Sequence, residues 1–204
     1  MANKPKSDGK LADDQSGQET VDFLEKCRLI ANRISGSHPS SLGLHPVVYF
    51  YSSSGRYQPT AFLATVAFLQ ELGIKNKFDF FTKVRRKFEN FLLDHRILVN
   101  QITVKYGSGP KGFSRLKQLL IFILDHLAEG KNDIQIISEM TKHPDFSFLQ
   151  PNEVSPQSTG KDFCGDAKSS VFLRDALKDP LRCAICGGLI HRNGISIDHI
   201  IRKA

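Results

Sequence analysis

The sequence predicts a mainly α-helical chain that ends in a cysteine-bearing turn and a β-hairpin. Apolar residues recur at helical spacing in several segments, for example at Phe81, Val84 and Phe88, and would form one buried face there. Near the end of the chain the helical pattern is replaced by a close pair of cysteines, Cys183 and Cys186. The 204 residues, 40% of them hydrophobic, suffice for one ordinary domain and a small appendage.

Start and stop signals divide the first part of the chain into helices. The predicted helices cover about residues 20–34, 59–73, 78–95, 114–128 and 132–142. Thr20 and Asn132 are the predicted N-caps of the first and last of these. Residues 47–51 are rich in β-prone side chains and predict a short strand or a buried extended segment. Residues 97–105 fit a strand or a helix equally well.

Changes in composition predict the domain boundaries. Residues 1–19 are polar and predict a disordered tail, followed by a helical domain over residues 20–142. Residues 143–169 contain several prolines and glycines and predict a linker. Residues 170–204 would then hold a short helix, capped by Ser170 and ended by Asp179-Pro180, and the cysteine-bearing segment.

Charge and cysteine usage narrow the class of protein. Lys and Arg total 28 against 21 Asp and Glu, so the formal net charge is +7, and a positive excess favours polyanionic partners without identifying one. The first 20 residues lack the apolar core of a secretory signal, and the longest apolar run is too short to cross a bilayer. We therefore expect a soluble cytoplasmic protein without a membrane partner, in which a close cysteine pair is a metal clip rather than a disulfide.

The segment that begins at Cys183 has the spacing of a zinc knuckle. Cys183 and Cys186 are separated by two residues and followed by Gly187-Gly188, which allow the backbone to turn tightly beneath a metal ion. Apolar runs flank Asn193-Gly194, the commonest two-residue hairpin turn. A purely structural knuckle is the alternative, and its zinc site could be completed by His191 or Cys164.

The arrangement of this knuckle, the hairpin and the following Ile197-Asp198-His199-Ile200 resembles the HNH endonuclease family, whose fold is a ββα-metal finger. The resemblance covers residues 181–204. It implies that His199 is the general base that deprotonates the attacking water and that Asp198 is a ligand of a catalytic Mg²⁺ or Mn²⁺. It also implies that Cys183 and Cys186 supply half of a structural Zn²⁺ site.

Other features bear on the same hypothesis. Arg192, Arg202 and Lys203 lie close to the predicted site in sequence and are candidate phosphate contacts. In the family the pattern continues into a helix with an Asn and often a His, and then a second Cys pair, so we expect little or no cleavage by this chain alone. Residues 44–51, with Gly55 and Gln58-Pro59, are similar to segments that precede HNH modules in ParB-like or GmrSD-like prokaryotic restriction and defence proteins.

The sequence therefore predicts all or part of an endonuclease that hydrolyses the phosphodiester bonds of nucleic acid, with DNA as the expected partner. The alternative is a non-enzymatic helical interaction module with a zinc-knuckle tail that binds nucleic acid or a partner protein. Lys83, Arg85, Arg86 and Lys87 form a basic cluster, interpreted as a solvated helix face or a nucleic-acid contact. Cys27 is predicted to be a buried small apolar residue. The oligomeric state is left open.

Overall fold

The computed structural model describes residues 13–35, 40–52, 55–150, 177 and 179–190. This part of the chain is mainly helical, as predicted. Its helices are α1 (Gln18–Ser35), α2 (Pro46–Tyr49), α3 (Pro59–Ile74), α4 (Phe78–Asp94), α5 (Ile97–Tyr106), α6 (Pro110–Ala128) and α7 (Asp133–Lys142). β-structure among the described residues consists of isolated antiparallel bridges.

Most helix signals in the sequence act as predicted. Helix α4 carries the predicted apolar face, and α7 begins with a capping box in which the Asn132 side chain and Gln135 bond reciprocally. The segment that the sequence left ambiguous is helix α5. Helix α6 begins four residues earlier than predicted, because Pro110 suits the first helical position, where no N–H partner is needed.

Two predictions at the start of the chain are wrong. The predicted strand at residues 47–51 is instead the single-turn helix α2, started by Pro46 and packed through Val48 and Tyr49 into the core. Burial of these side chains outweighs their β-propensity. Helix α1 begins at Gln18 rather than at a Thr20 cap, because the Asp14 carboxylate accepts the Thr20 N–H at 2.7 Å and thereby extends the ordered start.

Helix α6 lies at the centre of the body and packs mainly against α3, with α4 and α5 on its other sides. Three phenylalanines join α3 to α4: the Phe68 and Phe88 rings are stacked with centroids 5.6 Å apart, and Phe81 meets both edge-on. Phe146 and Leu149 are also buried in this core. The packed body therefore extends past residue 142, where the sequence placed its boundary.

Helix α1 differs from the other long helices in its exposure. Every side chain from residue 18 to residue 29 is exposed, and only the last turn is anchored, through buried Ile34. The prediction that Cys27 is buried is wrong, because Cys27 lies in this exposed stretch. Phe23, Leu24, Cys27 and Ala31 are exposed and lie on one side of the helix, and we call them the α1 apolar stripe.

None of the described helices combines the length and the apolar composition needed to span a bilayer. Residues 1–12 of the predicted tail and most of the predicted linker, residues 151–169, lie outside the described part of the chain. So do residues 170–176 of the predicted short helix and everything from residue 191 onward, which includes the predicted Asn193-Gly194 turn.

Candidate functional site

Residues 181–190, which we call the knuckle, form a tight turn around the two cysteines. The Gly187 N–H donates to the Cys183 carbonyl at 2.8 Å, and the Cys183 N–H donates to the Gly188 carbonyl at 2.9 Å. Gly187 has φ +67°, a left-handed conformation that favours glycine. The two arms of the turn pair through an antiparallel bridge between Arg182 and Leu189. The tight turn predicted from the Cys-x-x-Cys-Gly-Gly spacing is present.

The two thiols of the knuckle have different acidities. Burial opposes ionisation of Cys183, but hydrogen bonds from the backbone N–H groups of Cys186 and Ile185 and from the Cys186 thiol outweigh burial and lower its pKa. Burial dominates at Cys186 and raises the pKa of that thiol, and the neighbouring Cys183 adds to the rise. The first proton of the pair therefore leaves from Cys183, and the resulting thiolate is the form that binds a metal ion.

Helix α4 holds the knuckle through one residue of its second arm. The Leu189 N–H donates a short hydrogen bond to Glu89 Oε2, and the Leu189 carbonyl accepts from Arg85 Nη2 at 2.8 Å. The Leu189 side chain is fully buried in the core. A second antiparallel bridge joins Ile190 to Leu44, just before α2. The knuckle is thus part of the packed body rather than an appendage beside it.

Arg85 and Glu89 belong to a buried polar network. Arg85 is 3% exposed and Glu89 0% exposed, and Arg85 Nε lies 2.8 Å from Glu89 Oε1. The same carboxylate oxygen accepts the Tyr49 hydroxyl at 2.9 Å, and Arg85 Nη1 donates to the Leu42 carbonyl at 2.6 Å. These bonds compensate for removing two charges from water. We call Arg85, Glu89 and Tyr49 the clamp.

The surroundings shift the titration of the clamp. Burial raises the pKa of Tyr49 well above its ordinary value, and the nearby Glu89 carboxylate raises it further. Burial alone would lower the pKa of Arg85, but Tyr49 and Glu89 outweigh it and the pKa is raised. At neutral pH the clamp therefore contains a cationic guanidinium and a neutral phenol whose hydroxyl donates a hydrogen bond to Glu89 Oε1.

The interpretation of the basic cluster on α4 as one surface is wrong for Arg85. Lys83, Arg86 and Lys87 are exposed, whereas Arg85 points into the core. The signal that could have found the clamp is the position of Arg85 and Glu89 on α4. They stand four residues apart on the same side as Phe81, Phe88 and Leu92. Two charges of opposite sign inside an apolar face are typical of a buried pair.

Three arginines surround the turn between the cysteines. Arg85 Nη1 lies 3.9 Å from Cys186 Sγ, and Arg182 Nη1 donates to the Gly187 carbonyl at 2.9 Å. A Cβ at Gly187 would lie 2.9 Å from Cδ of Arg86, so the Arg86 side chain packs directly on the turn. Arg86 and Arg182 are exposed. The surface beside the knuckle therefore carries positive charge that could contact phosphate.

Two thiols satisfy half of the four ligands that a structural zinc ion takes. Among the residues that the structure describes, no group of three or more His, Cys, Asp and Glu side chains is placed to hold a metal ion. The proposed completing ligands His191 and Cys164 lie outside the described residues, and so do the predicted catalytic residues Asp198 and His199 and the predicted phosphate contacts Arg192, Arg202 and Lys203. The two described thiols are suitable zinc ligands, and they supply two of the four ligands that the site needs.

Comparisons of the chain with protein-family models, with curated proteins and with solved structures found no match.

Proposed function

We propose that residues 181–204 are the opening part of an HNH-type finger and that the protein acts as all or part of an endonuclease on DNA. One observation carries the proposal: the cysteine turn is preformed and is fixed to the helical body by both backbone groups of Leu189. A turn held in this way would give the residues that follow it a fixed starting point. Those residues include the adjacent pair Asp198-His199.

Cys183 and Cys186 would hold a structural Zn²⁺ ion. Hydrogen bonds from the backbone N–H groups of Cys186 and Ile185 and from the Cys186 thiol lower the pKa of the Cys183 thiol, which favours its thiolate form. The positive charge of Arg85 beside Cys186 favours the thiolate form that zinc requires. In this role the metal stabilises the finger and takes no part in hydrolysis.

The chemistry of cleavage would fall to Asp198 and His199. A catalytic Mg²⁺ or Mn²⁺ would neutralise charge on the phosphate, and the Asp198 carboxylate is the hard oxygen ligand that such ions prefer. His199 would accept a proton from the attacking water, since its ordinary pKa lies close to neutral pH. Arg192, Arg202 and Lys203, with the exposed Arg86 and Arg182 beside the knuckle, would contact the DNA backbone.

The zinc half of the proposal is tested by metal content and thermal stability. We expect bound zinc in the purified protein, its loss in Cys183→Ser and Cys186→Ser, and its retention in the matched control Cys27→Ser. Because a ligand of the folded state raises the unfolding temperature, added zinc should stabilise the parent protein and the control but not the two knuckle variants. Zinc-free protein, or equal zinc in all four, would contradict a site at the knuckle.

The nuclease half is tested by Mn²⁺ binding and by nicking of a supercoiled plasmid. We expect Mn²⁺ binding in the presence of DNA that is lost in Asp198→Ala, and any nicking to be lost in His199→Ala but kept in the control His126→Ala. His126 lies at the end of α6, where its ring nitrogen contacts the Phe122 carbonyl, far along the chain from the finger. Nicking that survives His199→Ala would exclude the assigned base.

The second candidate is a non-enzymatic helical interaction module with a zinc-knuckle tail. The exposure of the α1 apolar stripe favours it, because contiguous exposed apolar side chains are typical of a docking surface. DNA binding that is insensitive to Mn²⁺ and to Asp198→Ala, without cleavage, would favour this module over the endonuclease.

A further inference from the structure

The solvent-facing side of α4 carries a cluster of three cations. Lys83, Arg86 and Lys87 are exposed, and Arg86 and Lys87 follow Lys83 at three and four residues, so the three side chains are neighbours on the helix surface. They lie on the side that faces away from the buried Phe88. We call these three residues the α4 cationic face.

The acidic residues of α4 do not compensate this charge. Glu89 is buried, whereas Asp79 and Asp94 are exposed but lie in the first and last turns of the helix. Like charges three and four residues apart destabilise a helix rather than support it. The stability of α4 therefore does not account for the α4 cationic face.

Other lysines on the surface of the body have carboxylate partners. Lys75 and Lys117 both pair with Glu71, at 2.7 and 3.1 Å, and Lys77 pairs with Asp125 at 2.9 Å. Within the part of the chain that the structure describes, the α4 cationic face forms no ion pair of this kind. Its charge is therefore available to an anion from outside these elements.

The α4 cationic face continues onto the knuckle through Gly187. A Cβ at Gly187 would lie 2.9 Å from Cδ and 3.5 Å from Cγ of Arg86, so the stem of Arg86 lies along the turn. Arg182 Nη1 donates to the Gly187 carbonyl at 2.9 Å. Both arginines thus contact the same glycine, and side chains that are already held in place lose less conformational entropy when they bind.

We infer that the α4 cationic face and Arg182 form one surface that binds the phosphate backbone of duplex DNA, so that the helical body holds the substrate beside the finger. The inference rests on the proposed DNA partner, but it requires no cleavage. Duplex DNA fits because it is a continuous polyanion and because this surface adjoins the proposed finger. Contacts to phosphate carry no sequence information, so the binding is sensitive to salt and indifferent to sequence.

The experiment measures the affinity of the full chain for two labelled duplexes of unrelated sequence by fluorescence anisotropy. It is done over a range of salt concentrations and without Mg²⁺ or Mn²⁺. The triple variant Lys83→Gln, Arg86→Gln and Lys87→Gln should bind both duplexes more weakly than the parent protein does. The slope of log affinity against log salt should fall in magnitude by about 2–3, because each phosphate contact contributes about 0.9 to it.

A control triple variant separates the surface from the net charge. Lys75→Gln, Lys131→Gln and Lys142→Gln together remove the same charge, but each of these lysines already pairs with a glutamate. This variant should keep the salt slope of the parent protein. Circular dichroism of each variant verifies that the helices are intact.

A gain of affinity tests the surface in a way that misfolding cannot imitate. Asn90 is exposed on the same side of α4, four residues after Arg86. Asn90→Lys should therefore tighten binding and steepen the salt slope by about 1. Asn100→Lys is the matched control, because Asn100 is an exposed asparagine on α5, and it should leave the slope unchanged.

The outcomes distinguish this inference from the proposed catalysis. Binding without nicking would count against the assigned catalytic residues and would still support the surface. A salt slope that the α4 triple variant leaves unchanged, or that both triple variants lower equally, would overturn the inference. So would binding to vesicles of phosphatidylcholine and phosphatidylserine that is as tight as binding to DNA and equally reduced by the α4 variant.

Discussion

Arg85 is the residue on which most contacts of the knuckle depend. Its guanidinium bonds to the Glu89 carboxylate and to the carbonyls of Leu42 and Leu189. Arg85→Met keeps much of the apolar volume but leaves Glu89 as a buried charge without its partner. We expect a loss of about 3–5 kcal/mol in the free energy of unfolding, the usual cost of breaking a buried pair.

Chemical denaturation measures this loss. Arg86→Met is the matched control, because Arg86 is the neighbouring residue with the same side chain on the exposed side of α4. It should change the unfolding free energy by about 0.5 kcal/mol or less. Equal effects of the two substitutions would contradict the clamp.

Tyr49 makes stability depend on alkaline pH. Because its pKa is raised in the folded protein, the unfolded chain releases this proton first as the pH rises. The contribution of Tyr49 to the free energy of unfolding is complete below a pH of about 10. As the pH rises further, this contribution falls by up to about 1.4 kcal/mol per pH unit. Tyr49→Phe removes this loss, so its unfolding free energy should fall less between pH 9 and 11, as urea denaturation can show.

Tyr57→Phe is the control for this experiment, because the Tyr57 side chain is 49% exposed and has no contact with the clamp. It should follow the parent protein. Parallel curves for the parent and Tyr49→Phe would show that Tyr49 ionises as freely in the folded chain as in the unfolded one.

At the scale of elements, the sequence predicted the helices whose start, stop and apolar face agree, as in α4 and α7. The sequence-based prediction failed at α2, because a helix of four residues is too short to show a helical repeat of apolar residues. Pro46 at its first position favours the helical turn instead. The prediction also missed the clamp. Arg85 and Glu89 bond to the backbone groups of Leu189, about a hundred residues away. Every residue has such backbone groups, so the sequence does not show which of them a buried side chain will meet.

The knuckle was predictable as a turn, and its docking was not. The Cys-x-x-Cys-Gly-Gly pattern determines the local geometry through the cysteine spacing and the left-handed Gly187. The need for glycine at position 188 has a different cause: a Cβ there would lie 2.3 Å from Nε of Arg85. That requirement comes from tertiary contact, so the amino-acid pattern alone does not distinguish the roles of the two glycines.

This contact gives a prediction for the junction between the knuckle and α4. Gly188→Ala forces Arg85 to move from a position fixed by its other bonds, and we expect a loss of about 1–3 kcal/mol in the free energy of unfolding. Gly109→Ala is the control, since a Cβ at Gly109 meets nothing within 4 Å and its φ is negative. Denaturation curves that coincide for the two variants would rule out close packing at Gly188.

For the molecule as a whole, the clamp predicts that the knuckle and the helical body unfold together. The Leu189 amide is bonded to a buried carboxylate rather than to a neighbouring strand. In native-state hydrogen exchange it should therefore be protected to a free energy close to that of buried α6 amides. In Arg85→Met its protection should fall further than that of α6. Fast exchange of Leu189 in the parent protein would mean that the knuckle opens on its own.

The clamp also limits how the cysteine-bearing tail could be transplanted. The Arg85 guanidinium donates hydrogen bonds to the carbonyls of Leu42 and Leu189, and it thereby joins three stretches that are distant in the chain. A graft of the tail onto another helical scaffold would leave its backbone groups unsatisfied unless the recipient also offered an arginine and a glutamate one helical turn apart. We expect chimaeras whose scaffold carries both this arginine and this glutamate to fold, and those that carry the tail alone to aggregate.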